Sequence, residues 1–278
     1  FSVLITKALP QMNDPRIRMV KFARFRQKQR RMPAMQDLMP AMQDLWQNLV
    51  KQFTATFITE QRYMLFLNGL KTTLTITFCA ALLGIVLGFL IAYCRTTYER
   101  TLRRGPLLKF LNFLCNVYLT VIRGTPTMIQ VLIMYFVIFG SVKIDKVPVA
   151  VLAFGMNSGA YVAEIFRGGI MSIDYGQMEA ARSLGLNYTQ ATWRVILPQT
   201  IKNVFPSLGN ELIVLLKETS ISGYIALQDL TKAGDIVRSR TYLPFFPYIS
   251  VAAIYLVLVL ILEKILGNIE GRMAASDR

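Results

Sequence analysis

The 278-residue chain contains no histidine. Imidazole acid–base catalysis and histidine metal ligation are therefore excluded. Its three cysteines, Cys79, Cys94 and Cys115, lie in or beside apolar runs without metal-ligand spacing. Buried free thiols fit this pattern, and neither a disulfide framework nor a zinc site does. Acids are scarce: 16 Asp and Glu oppose 31 Lys and Arg, a formal charge of +15. No G-x-x-x-x-G-K-[ST] phosphate loop is present, because Gly69-Leu70-Lys71-Thr72-Thr73 lacks the first glycine and opens an apolar run. The sequence holds no glycine-rich dinucleotide fingerprint, no paired carboxylates on a soluble scaffold and no nucleophile triad. The chain reads as no enzyme by itself. If it depends on ATP, the ATPase is a separate chain.

What is present is apolar. The hydrophobic fraction is 54%, and the mean hydropathy is +0.42. Several runs of about 20 apolar residues indicate an all-α, polytopic membrane bundle. In such a chain the positive excess belongs to basic loops facing the cytoplasm and anionic lipid. With no nucleic-acid motif, no nucleic acid is expected as a partner.

Residues 1–45 read as a basic, poorly ordered arm. Lys7, Arg16, Arg18, Lys21, Arg24, Arg26, Lys28, Arg30 and Arg31 face one acid, Asp14. The arm ends in a tandem repeat, Met-Pro-Ala-Met-Gln-Asp-Leu, at Met32–Leu38 and Met39–Leu45. Two copies are too few for a solenoid, which needs at least about three. The chain opens on Phe1, and Met32, Met39 and Met42 are candidate initiators. Residues 46–68 have helical periodicity but are too polar to span, so an amphipathic interfacial helix is expected, with Trp46 and Tyr63 at headgroup depth.

A permease-like membrane domain is expected over residues 69–270, followed by a cytoplasmic tail, 271–278. The first span is Leu70–Tyr93. Its Gly84 and Gly88 suit close helix contact, either within the subunit or with a second copy. Arg95, Arg100, Arg103, Arg104 and Lys109 then make the strongest basic loop, which places it in the cytoplasm and the amino terminus outside. Pro126 bends the chain after Arg123-Gly124-Thr125. Met128–Phe139 is short for a span, so residues before the bend must help it cross. Arg123 reads as an interfacial anchor, with a role in transport as the alternative. The third span is Pro148–Phe166, and near its end Glu164 and Arg167 are spaced to pair.

The fourth span, Pro198–Leu216, is interrupted by Lys202, Asn203, Pro206, Gly209, Asn210 and Glu211. Asn210 and Glu211 fall about 18 Å beyond Pro198 at ~1.5 Å per residue, near the bilayer middle. An ionisable group there marks either a substrate pathway or a structural hydrogen bond to a neighbouring helix. Pro206 and Gly209 are candidate kink residues. A short helical pattern, Leu227–Val237, lies in the external segment, and the last span is Tyr248–Leu262.

Between the third and fourth spans lies Tyr175–Gln199, the longest polar, helix-prone stretch. Gly185 is placed to stop a first helix, Asn187 to cap a second, and Pro198 to open the next span. Met178, Ala181 and Leu184 form a face able to press into a partner's groove. Glu179 and Arg182 lie on the other side.

The stretch also carries a resemblance. Glu179-Ala180-Ala181, three residues, Gly185, nine residues, Val195, one residue, then Leu197-Pro198 resembles the EAA loop of ABC-transporter permease subunits. The family usually has Ile where Val195 stands. Tyr118–Gln130 and the run Ala160–Gly169 are similar to permeases for polar amino acids (histidine, glutamine, arginine or cystine). The resemblance covers about Gly69 to Arg278. It implies a type I importer fold of about five spans, paired with a second permease copy or paralogue. It implies a cytoplasmic ATPase dimer docked on Glu179, Ala180, Ala181, Gly185, Leu197 and Pro198, and an external solute-binding protein. ATP would be used by the partner, with no cofactor or metal bound by this chain. Asn210 and Glu211 are the pathway candidates. The alternative is an ion-gradient-driven amino-acid transporter with Glu211 as coupling carboxylate; it would be supported by inverted repeats, and none is visible.

Overall fold

The computed structural model describes residues 35–101 and 104–275. The basic arm to residue 34, residues 102–103 and the last three residues of the tail lie outside the described residues. The chain divides into two units, Phe1–Ala55 and Thr56–Arg278. In the first, α1 is Met35–Phe53, with Pro40 inside it. Met39, Met42, Leu45 and Trp46 recur at helical spacing and are exposed.

The second unit is wholly helical among the described residues. In order it contains α2 (Tyr63–Arg100), α3 (Pro106–Gly124), α4 (Thr127–Leu132), α5 (Lys146–Met171), α6 (Tyr175–Ser183), α7 (Tyr188–Ala191), α8 (Leu197–Glu218), α9 (Leu230–Thr241) and α10 (Phe245–Ala275). Four helices are long and apolar enough to cross a membrane: α2, α3, α5 and the Phe245–Met273 part of α10. α8, which the sequence reading takes as a span, is not among them, because its charged and polar residues dilute its apolar character.

The helix starting at Tyr63 takes residues that the sequence assigned to an interfacial segment. Glu60 and Gln61, both at positive φ (54° and 52°), break the chain just before it. Phe66 is then buried against Leu230, Ala233 and Val237 of α9.

The central pair is α2 against α5. A Cβ on Gly88 would lie 2.6 Å from Val162 Cγ1 and 2.8 Å from the Ala163 backbone nitrogen. The helices thus meet almost backbone to backbone, and Gly84, against Ser158, does the same a turn earlier. The two glycines serve packing inside this chain.

The second crossing is broken. Leu119 of α3 packs against Ala160 and Ala163 of α5, with Ile91 alongside. Val131 of α4 packs beside Ala150, Ala153 and Phe154, nearer the start of α5. α3 and α4 therefore cover successive lengths of α5, and Thr125-Pro126 is the joint. Gln130 staples this joint. Its Nε2 donates to the carbonyls of Ile122 (2.7 Å) and Thr125 (3.0 Å) and to Thr125 Oγ1 (2.8 Å). These are the carbonyls that a helix break strands in an apolar medium.

On the side read as external, Asp229 is the N-cap of α9, accepting from the backbone N–H groups of Thr231 (3.1 Å) and Lys232 (3.0 Å). The helix runs to Thr241, past the segment expected from periodicity.

Candidate functional site

The loop between α5 and α8 is a small folded body. α6 ends in a Schellman motif: Leu186 N–H reaches Ala181 C=O (3.2 Å) and Gly185 N–H reaches Arg182 C=O (3.0 Å). Gly185 supplies the left-handed residue, φ +87°. Asn187 then opens α7 with a reciprocal cap. Its side chain accepts from Gln190 N–H (2.8 Å), and Gln190 Oε1 accepts from Asn187 N–H (3.0 Å). From Tyr188 the chain stays helical through Leu197 into α8.

The loop has its own core. Met178 (2% exposed) and Ala181 (4%) pack with Ile170 and Ile173 from the end of α5, and with Ala191 and Ile196 from the approach to α8. This corrects the expectation that Met178, Ala181 and Leu184 share an outward face. The first two point inward, and Leu184, 85% exposed, stands out alone among them. The exposed surface of α6 begins with Tyr175, Gly176 and Gln177, and carries Glu179, Ala180, Arg182 and Ser183 towards its end, continued by Leu184 and Gly185. Of the other motif positions, Pro198 is exposed and Leu197 half-buried in the first turn of α8. Motif residues thus divide into a presented set and an anchoring set.

Further ties hold the loop to the bundle. Arg100, ending α2, donates to Ile170 C=O (3.0 Å). Asn203 of α8 donates to Ser172 Oγ (3.2 Å). Phe89 of α2 stacks edge-on with Trp193 (6.0 Å) and Phe166 (5.5 Å). Neither Phe89 nor Trp193 stands out in the amino-acid sequence, because their partners are distant in the chain.

Inside the bundle the polar residues form two groups. In one, Glu211 accepts a hydrogen bond from Ser158 Oγ (2.9 Å). It borders a groove of about 330 Å³ whose other walls include Phe78, Leu82, Phe205, Leu208 and Leu266. Asn210, the other pathway candidate, is exposed and does not line this groove. Pro206 lies inside the continuous α8, and Gly209 packs on Leu266. Nearby, Asn157 donates to Gln130 Oε1 (2.9 Å), and Tyr118 OH to Met156 C=O.

The second group centres on Glu164. Oε2 accepts from Arg167 Nη2 at 2.9 Å, the expected pairing. Oε1 accepts from Arg95 Nη1 at 2.7 Å. Arg123 Nη1 lies 3.8 Å from the same Oε1. Arg123, read from sequence as an interfacial anchor, therefore stands beside a carboxylate of α5 within the broken crossing. Among the described residues, no group of three or more Cys, Asp or Glu is arranged to hold a metal ion.

Residues 84–275 match the family described as binding-protein-dependent transport system inner membrane component. The chain is 39% identical over 209 residues to a putative glutamine transport system permease protein of Rickettsia conorii, covering 74% of this chain and 91% of that one. It is 38% identical over 213 residues to an arginine transport system permease protein of Bacillus subtilis, covering 76% and 93%. Among solved structures, an amino acid ABC transporter crystallised with histidines matches with a TM-score of 0.68 and 43% identity, over 78% of this chain and 98% of that one. A methionine ABC transporter in an inward-facing conformation shares the fold, at TM-score 0.64 and 18% identity over 76% of this chain and 97% of that one.

Proposed function

The chain belongs to the family of binding-protein-dependent transport system inner membrane components, and from that premise we propose how it works. It is the multi-pass permease subunit of an amino-acid ABC importer, working with an ATPase. The α6–α7 loop is the ATPase-coupling element. Glu179, Ala180, Gly185 and the Leu184 tip meet the ATPase, Ala181 and Leu197 hold the element to α5 and α8, and Pro198, exposed in the first turn of α8, stands with the presented set. Two permease chains, identical or related, enclose the pathway. An external solute-binding protein delivers a polar amino acid. Glutamine and arginine are the first candidates, from the names of the relatives. ATP is bound and hydrolysed by the partner, and this chain needs no cofactor or metal. The amino terminus is outside and the carboxyl terminus cytoplasmic, a reading supported by the basic loop after α2. Glu211 is a candidate contact for a cationic substrate, with Asn210 assigned to a separate surface.

The observation that carries this reading is the loop's construction. One face is bolted to the inner ends of α5 and α8, and the opposite face is free. A push on the free face moves both helices together.

The test is co-purification with the ATPase and uptake in proteoliposomes. Glu179→Lys should lower amino acid moved per ATP hydrolysed while the complex stays folded. Normal uptake by this variant would refute the coupling role. Glu211→Gln with unchanged uptake and preference would remove Glu211 from the pathway.

A further inference from the structure

The shared permease does not account for α1, Met35–Phe53. The family match covers residues 84–275, and the solved amino acid ABC transporter, matched over 98% of its own length, covers 78% of this chain. α1 nevertheless divides its surface cleanly. At about 100° per residue, Met39, Met42, Leu45, Trp46, Leu49 and Val50 fall within an arc of about 140°. Gln43, Asp44, Gln47, Asn48 and Lys51 occupy the opposite side. Leu49 is half-buried, and the other apolar side chains of the stripe are exposed, Trp46 by 68%. Met39–Leu45 is the second copy of the tandem repeat. Seven residues turn to within about 20° of two full turns, so a copied unit lengthens an apolar stripe without rotating it.

Three observations name what covers the stripe. α1 is not among the helices long and apolar enough to cross a membrane, so only one of its sides suits an apolar medium. The chain between Phe53 and Tyr63, where the first crossing begins, could span at most about 36 Å even if fully extended. α1 is therefore tethered within reach of the bilayer surface. The side opposite the stripe sets Asp44 against Lys51, but residues 1–31, just ahead of the helix, carry nine Lys and Arg against Asp14. An apolar helix face joined to a block of positive charge is the pair of signals that holds a segment on acidic lipid. A second copy of α1 is a poorer cover, because it brings its own block of cations to the same place.

We propose that α1 lies in the surface of an acidic-phospholipid bilayer, with its stripe among the upper acyl chains, and that the Lys and Arg residues ahead of it gather acidic headgroups around it. The interfacial element expected over residues 46–68 thus moves back along the chain, since Tyr63 onwards belongs to the first crossing. The consequence is a local excess of acidic lipid around Trp46.

The full chain is placed in nanodiscs of phosphatidylcholine and phosphatidylglycerol in equal amounts, with bromine on the acyl chains of one lipid or of the other. The chain has two tryptophans, so the fluorescence of Trp46 is the difference between the unaltered chain and Trp46→Phe. Bromine near the headgroup end of the acyl chains should quench Trp46 with either lipid. Quenching should be about twofold or more stronger when the acidic lipid carries the bromine. In about 1 M salt the two should become equal, because the screening length falls from about 10 Å to about 3 Å, while quenching itself persists. Leu45→Glu combined with Leu49→Glu should lift the stripe and abolish quenching. A Trp46 that neither lipid quenches would overturn the proposal: water-like emission would leave the stripe bare, and shielded emission would mean that protein, a second copy included, covers it. Equal quenching by the two lipids at low salt, a preference that survives high salt, or full quenching in the double Glu variant would overturn it as well.

Discussion

Replacing Gly185 tests the coupling loop with little else disturbed. A Cβ built there meets nothing within 4 Å, so the substitution causes no clash. What changes is the backbone, because φ is +87°. An ordinary L-residue in the left-handed region costs about 1–2 kcal/mol. That is a factor of about 5–30 in the population of the Schellman end. The two bonds at stake, Leu186 N–H to Ala181 C=O and Gly185 N–H to Arg182 C=O, fix where Leu184 points. The expected order of coupling is Gly, then Asn, then Ala and Val, since Asn tolerates this region best among non-glycine residues. The assay is amino acid accumulated per ATP hydrolysed in proteoliposomes. Thermal unfolding is followed in parallel and should change little, because the bundle is untouched. Gly185→Val with unaltered coupling would show that the loop's end geometry does not transmit force. A Val variant that loses the membrane fold would show that the penalty is not local.

Other outcomes follow from other contacts. Gly88→Ala must part α2 from α5 and should destabilise the chain by about 1–3 kcal/mol, read as a lower unfolding midpoint in detergent. Ile196, almost fully buried in the loop's core, should cost about 2–5 kcal/mol when cut to Ala; ATPase co-purification should survive while uptake per ATP falls. Cys94 of α2 and Cys115 of α3 are free thiols close enough to interact, so a short bifunctional thiol reagent should bridge them in one step, and separate single modifications would contradict the α2–α3 packing. The Arg238 hydrogen bonds, helped by Lys232, hold the Asp235 carboxyl below its ordinary range. Its contribution is present above the ordinary carboxylate value, about 3.9, and is lost as pH falls through the lowered one. Asp235→Asn should flatten the acid limb of the stability profile.

Single-residue signals made much of the loop legible in the sequence. Gly185 and Asn187 act through their own backbone and side chain, and both stand where expected. The outward face was misassigned for a geometric reason. Steps of three residues slip about 60° on a helix turning about 100° per residue. Leu184 is thus about 120° away from Met178 and leaves the buried side at the C-cap. Asn210 and Glu211 separate similarly, since adjacent residues are about 100° apart. The break at Glu60-Gln61 has neither glycine nor proline to announce it. The surroundings of Arg123 were not legible because its neighbours come from other helices. Arg95 and Glu164 are both distant in sequence, and periodicity alone does not reveal how deep the Thr125-Pro126 joint lies. Gln130 was visible as a polar residue in an apolar run, but its purpose depends on carbonyls that only the bend exposes.

If the loop couples as proposed, docking and transmission should be separable in it, because it has two distinct faces. Glu179, Arg182 and Leu184 are free of the bundle, so changes there should alter how the ATPase is held. Met178, Ala181, Ile173 and Ile196 face inward, so changes there should leave docking intact but let the body slip against its helices. The helices it grips bear the polar groups further in. α5 carries Ser158 and Glu164, and α8 carries Glu211. Under the proposed coupling, a rigid grip would turn one displacement of the loop into a change at both groups, because the Ser158–Glu211 bond joins α5 to α8 and the Glu164–Arg95 bond joins α5 to α2. A loose tether would absorb the same displacement in its own dihedrals. In the proposed coupling role, it is the buried core of the loop, more than its sequence motif, that would let it act as a lever.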